Sequence, residues 1–108
     1  MESNTNKQWE IIVKEVSKDV FEHFEQILSL VEFGAYIEPQ NYFVSYIFGT
    51  DKELAEAMEN GLTDKINDYH KTSLTKHGYP VEGVMDCTFA SQEECDRTFN
   101  GNWYYYYH

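Results

Sequence analysis

Residues 42–48 read Tyr42-Phe43-Val44-Ser45-Tyr46-Ile47-Phe48, a run of β-branched and aromatic side chains that suits a pleated, half-buried surface. Alternation with period two sends Tyr42, Val44, Tyr46 and Phe48 to one face, and Phe43, Ser45 and Ile47 to the other. Both faces carry apolar groups, so the run predicts a central strand, or a strand whose outer face meets a partner. Just upstream, Phe33 to Glu38 reads as its hairpin neighbour, with Pro39-Gln40-Asn41 as the turn between them. Farther upstream, residues 5–31 predict one long amphipathic helix. Trp9, Ile12, Val13, Val16, Val20, Phe24, Ile27, Leu28 and Val31 recur at steps of three and four, while Glu10, Glu15, Asp19, Glu22 and Glu25 fill the other face. Thr5 and Gln8 have capping-box spacing, and Gly34 follows the end of the periodicity.

Downstream of residue 48, Gly49 releases the chain into Thr50-Asp51-Lys52-Glu53, a second capping-box pattern. It predicts a short helix from Asp51 to Glu59 that stops at Asn60-Gly61. Another helix starts at Thr63, carries Ile66, Tyr69, His70, Leu74 and His77, and ends at Gly78 with Pro80 beyond. Val84 to Ala90 alternates like a strand, and Ser91-Gln92-Glu93-Glu94 opens a single helical turn. Asn100-Gly101 favours a tight β turn, after which Trp103 to Tyr107 reads as a closing strand. The resulting plan is a single α+β domain over residues 1–108. It has an antiparallel sheet of about four strands, with a long N-terminal helix and a helical middle segment packed on one side.

Composition narrows the function. Nineteen acids against eight bases give a net charge of -11, a field that repels phosphates and anionic membranes and attracts cationic partners. Direct nucleic-acid binding is disfavoured because it needs Lys and Arg to displace counterions. Acidity by itself also serves plain solubility. The start of the sequence has no basic and apolar leader pattern, no apolar run approaches a membrane span, and two cysteines make no disulfide framework. The expected compartment is therefore the cytoplasm, with Cys87 and Cys95 reduced, and a single Cys87–Cys95 bridge is the alternative for an exported chain.

No phosphate loop, nucleophile elbow, zinc-protease helix or calcium loop is present. His70 and His77 would share a helix face, yet two turns separate their rings by about 10 Å, too far to reach one ion. Adding Cys87 and Cys95 to His77 matches no familiar zinc spacing. No metal, cofactor or catalytic residue is assigned. An enzyme built on Asp96, His70 or Cys95 lacks an assembled nucleophile, base and orienting group. Acid clusters at Asp51, Glu53, Glu56 and Glu59, and at Glu93, Glu94 and Asp96, read first as solvated helix faces.

The most distinctive stretch is Asn102-Trp103-Tyr104-Tyr105-Tyr106-Tyr107. Tyrosine offers a rigid ring with a polar tip, which suits both core packing and binding surfaces. Beside so many carboxylates, such rings suit capture of a basic protein, with charge steering the encounter and aromatics anchoring the complex. The block Phe89-Ala90-Ser91-Gln92-Glu93-Glu94-Cys95-Asp96-Arg97, followed by Gly101-Asn102-Trp103-Tyr104-Tyr105, resembles small acidic immunity proteins of bacterial toxin systems, and so does the order of elements. The resemblance implies a non-enzymatic cytosolic inhibitor that occludes or locks a cognate toxin domain, and the acidic charge makes a basic nuclease, whose cleft must attract phosphate, the expected target. The steering charges are then expected at Asp51, Glu53, Glu56, Glu93, Glu94 and Asp96, and the anchors at Trp103, Tyr104 and Tyr106. The alternative is a small-molecule-binding or homodimeric regulatory module, paired through the Tyr42–Phe48 strand or the Tyr-rich edge.

Overall fold

In a computed structural model, residues 2–107 are described, with side chains from Lys7 onward. The elements in chain order are α1 (Glu2–His23), β1 (Ser29–Gly34), β2 (Tyr42–Phe48), α2 (Asp51–Glu59) and α3 (Leu62–Lys76). A 3-10 turn (Val81–Gly83) follows, then β3 (Thr88–Ser91), α4 (Gln92–Phe99) and α5 (Trp103–Tyr106).

The Tyr42–Phe48 run is indeed central. The sheet order is β1-β2-β3, with β1 antiparallel to β2 from Ser29 opposite Ile47 to Gly34 opposite Tyr42. β3 runs parallel to β2, with Thr88 opposite Ser45 and Ser91 opposite Phe48. Among the described residues the sheet is therefore three-stranded and mixed, where four antiparallel strands were expected. The parallel pairing follows from the connection, because α2 and α3 form a crossover that returns the chain to the starting end of the sheet.

Helices cover both faces of the sheet, a second departure from the one-sided plan. Tyr42, Val44, Tyr46 and Phe48 join Val13, Val16 and Val20 of α1, Ala57 of α2, and Ile66 and Leu74 of α3 in the main core. On the opposite face, buried Ser45 and Ile47 lie beside Ala90. There the Ser45 hydroxyl meets the Tyr107 hydroxyl at 2.6 Å just past α5, and Cys95 of α4 is fully buried.

The first helix is shorter at its far end than its apolar rhythm implies. It begins at Glu2, so Thr5 lies within it rather than at its cap, and the Thr5 side chain falls outside the described side chains. It ends at His23, where His23 stacks on Tyr69 at 4.3 Å and the Tyr69 hydroxyl donates to Asp19 at 2.8 Å. A turn then closes with Ile27 N–H donating to Phe24 C=O, and Leu28 N–H already pairs with Ile47 C=O. Ile27, Leu28 and Val31 thus continue a helical spacing while lying on a turn and a strand. The hairpin loop is correspondingly longer, residues 35–41, and includes a Glu38–Asn41 turn with Pro39 in the second position.

Residues 84–87 alternate in sequence but form no ladder. Their backbone groups find side-chain partners instead: the Tyr42 hydroxyl accepts from Met85 N–H at 2.9 Å, and Asn67 Oδ1 accepts from Cys87 N–H at 3.0 Å. Gly83 is needed here, since a Cβ would stand 2.5 Å from that of Pro39. Farther on, Ser91 caps a helix of eight residues rather than a single turn. Asn100 and Gly101 both take positive φ, as a tight turn requires, but they close α4 rather than join strands. Asn102 then caps α5 through Tyr105 N–H, so Trp103–Tyr106 is a helical turn and not a closing strand.

Candidate functional site

The acidic and aromatic residues singled out above fall mostly where α2, α4 and α5 meet. Thr50 caps α2 by accepting from Glu53 N–H at 3.0 Å, as the sequence predicts, and its hydroxyl donates to the Glu53 carboxylate at 3.0 Å. Ser91 caps α4 by accepting from Glu94 N–H at 3.1 Å, while its hydroxyl donates to the Asp51 carboxylate. Asp51 also pairs with Arg97 at 3.2 Å. The Ser91 hydroxyl, followed by the Arg97 guanidinium, holds the Asp51 carboxyl below its ordinary range. The Asp51 backbone N–H donates to Glu93 at 2.9 Å, and Glu93 N–H donates to Gly49 C=O at 3.2 Å. The two helix starts are thereby knitted together, each with carboxylates near its positive end.

α5 is fastened to α4 on its inner side. The Tyr106 hydroxyl donates to Glu94 at 2.7 Å, and Trp103 Nε1–H donates to Gln92 at 3.3 Å. Burial, then the Glu94 contact, pushes the Tyr106 phenol upward. Trp103 stacks on Tyr107 with ring centroids 5.8 Å apart, and Tyr107 in turn packs against Phe43 at 4.6 Å and Phe33 at 6.4 Å. Trp103 and Tyr106 are half-buried members of this frame. Tyr104 (57%), Tyr105 (61%) and Phe99 (40%) remain exposed.

The expected residues therefore divide. Asp51, Glu93, Glu94, Trp103 and Tyr106 come together through direct contacts. Asp96 lies on the exposed side of α4, accepting from Gln92 at 2.9 Å, and Tyr104 stands outward on α5. Glu53 and Glu56 line a separate cleft along α2. Sequence reasoning missed Tyr105 and Phe99, because a strand would have aligned Tyr105 with Trp103 and Tyr107, whereas a helical turn points it away from them. The capping signature Asn102 followed by Tyr105 was the available clue.

No family model, curated protein or solved structure matches this chain.

The other candidate chemistries are dispersed. His70 is a fully buried residue of α3 with its Nδ1 3.0 Å from the Tyr46 hydroxyl, and burial depresses its pKa to about 4. Cys87 and Cys95 are free and buried, and burial raises the Cys87 thiol to about 12, which removes thiolate character at neutral pH. His77 caps the end of α3, its ring nitrogen 2.8 Å from Ser73 C=O. Among the described residues no group of three His, Cys, Asp or Glu side chains is placed to hold a metal ion, and no helix is long and apolar enough to cross a membrane.

Proposed function

We propose that this chain is a protein-binding inhibitor of the immunity type, which neutralises a basic toxin domain, a nuclease by preference, through the surface built from α4 and α5. What supports this reading is that the exposed rings of Phe99, Tyr104 and Tyr105 belong to the same α4–α5 unit as Glu93, Glu94 and Asp96, the two helices being joined by Tyr106–Glu94 and Trp103–Gln92. Exposed aromatics of this size supply contact area, and an acidic rim speeds and orients the encounter with a positively charged active-site cleft. Trp103 and Tyr106 hold the surface in shape from beneath, so Tyr104 and Tyr105 take the anchoring role. The homodimeric alternative would have to use the Tyr-rich edge, since β2 is flanked on both edges.

The test begins with capture of binding proteins by the immobilised chain at low salt and their identification by mass. Association and dissociation are then measured with the captured protein. Replacing Glu93, Glu94 and Asp96 by their amides is expected to slow association by about ten-fold or more at low salt, with little change in dissociation. Tyr104→Ala with Tyr105→Ala is expected to speed dissociation instead. Absence of any basic protein among those captured, or kinetics indifferent to both sets, would overturn the proposal.

A further inference from the structure

Between the turn that follows α1 and helix α2 lies an open cleft of about 210 Å³, lined by Gln26, Phe48, Glu53, Glu56, Ala57, Asn60 and Leu62. Its size is informative. Pockets that enclose a whole small-molecule ligand run to roughly 300–1,000 Å³, so this one fits a single side chain better than a complete ligand. Its floor, Phe48, Ala57 and Leu62, is apolar and would cover an aliphatic stem. Its rim carries two carboxylates and two amides and no cation. Glu53 spends one oxygen on the Thr50 hydroxyl, whereas Glu56 is exposed and, among the described residues, makes no side-chain hydrogen bond or ion pair.

We propose that this cleft receives an arginine side chain presented by a basic protein partner. The inference rests on the inhibitor reading above for the source of that arginine. A planar guanidinium with several diverging N–H donors can engage two carboxylates and flanking amide oxygens together, while its stem lies on the apolar floor. Charge complementarity favours this occupant, since the molecule carries a net charge of -11. Glu53 belongs to the α2 start that is joined to α4 through Asp51 and Glu93, so the cleft and the α4–α5 surface share one structural frame.

The probe is N-acetyl-arginine amide, titrated into the full isotope-labelled chain and followed by the backbone amide resonances, with the neutral citrulline analogue as control. Saturable shifts centred on Glu53, Glu56, Ala57, Asn60 and Leu62 are expected with the arginine probe and not with citrulline. Glu56→Gln should weaken that binding roughly ten-fold, the loss of one charge-assisted contact. Glu56 is exposed, so the variant keeps its fold, and Glu56→Lys, which brings a cation of its own, should abolish the shifts. Equal response to citrulline, shifts spread evenly over all acidic surfaces, or an unaltered Glu56→Gln titration would overturn the inference. The two readings fail separately. A captured partner whose affinity ignores Glu56→Gln removes the cleft and leaves the inhibitor, whereas a seated arginine probe without any basic partner does the reverse.

Discussion

His70 has no exposed surface, and its Nε2 is buried without a hydrogen-bond partner among the described residues. Counting donors assigns the tautomer. If the Tyr46 hydroxyl donates to Nδ1, only the Nε2–H is left unpaired, whereas the reverse strands both the Tyr46 hydrogen and the bare Nε2. The neutral ring therefore carries its proton on Nε2. Protonation would place a charge between the Tyr42 and Tyr46 rings, attracted by Asp86 and repelled by Lys71. The folded pKa lies below the ordinary 6.5, near 4, so stability is complete above pH 6.5 and falls as the unfolded state binds a proton the folded state refuses. Between pH 6.5 and 4 the loss attributable to His70 is about 3 kcal/mol. Denaturant titrations at pH 7, 5.5 and 4 should show the native chain losing that much more than His70→Gln, and parallel losses would clear His70 of the role. At this scale the capping residues Thr50 and Ser91 were legible in sequence, because a cap depends on a spacing of three residues. The burial of His70 was not, since it depends on which strand a helix lies against.

The joint between α2 and α4 depends on Ser91, which is 1% exposed and bonds both the Glu94 amide and Asp51. Ser91→Ala removes a helix cap and leaves those partners unmatched, at a cost of about 1–2 kcal/mol, measurable as a lower denaturation midpoint at unchanged slope. Glu32 illustrates a different element-scale conflict. It lies on edge strand β1, opposite Val44, with its carboxylate turned toward α1 and 3.3 Å from the Ser17 hydroxyl. Burial raises its pKa despite that hydrogen bond, so the ionised form opposes folding, yet an inward charge also discourages edge-to-edge pairing. Glu32→Val should raise the thermal midpoint while increasing concentration-dependent association in sedimentation, and a stabler chain with unchanged association would refute the second half. Elements were legible where local and tertiary preferences agree, as in β2, α2 and α3. They were not at residues 24–31, where apolar groups spaced for a helix are claimed by a turn and a strand. Residues 103–107 misled in the same way, since their β-favouring rings are overruled by the Asn102 cap and the closed turn before it.

Across the whole molecule, a charge of -11 is balanced by few internal contacts. Among the described residues three ion pairs form, Glu10–Lys14, Lys71–Asp86 and Asp51–Arg97. Self-repulsion should therefore dominate the salt response. Raising ionic strength from about 0.01 to 0.15 M shortens the screening length from about 30 to 8 Å, and the thermal midpoint should rise accordingly. Under the proposed function, capture of a basic partner should slow over the same range, so folding and association respond with opposite signs. A midpoint that falls with salt would mean the three pairs outweigh the repulsion. Overall class and the central strand were readable from the sequence. The parallel third strand was not, because nothing local in residues 88–91 encodes the direction from which the crossover returns them.

That parallel strand bears on how the chain is made. The β1–β2 hairpin is local and can form as soon as residue 48 clears the ribosome, yet β2 gains its other neighbour only when residues 88–91 emerge and the crossover has folded. In the interval β2 presents a bare edge and two apolar faces, the configuration most prone to pairing with another nascent chain. A stall or premature stop anywhere between α2 and β3 should therefore yield an aggregating fragment rather than a shortened domain.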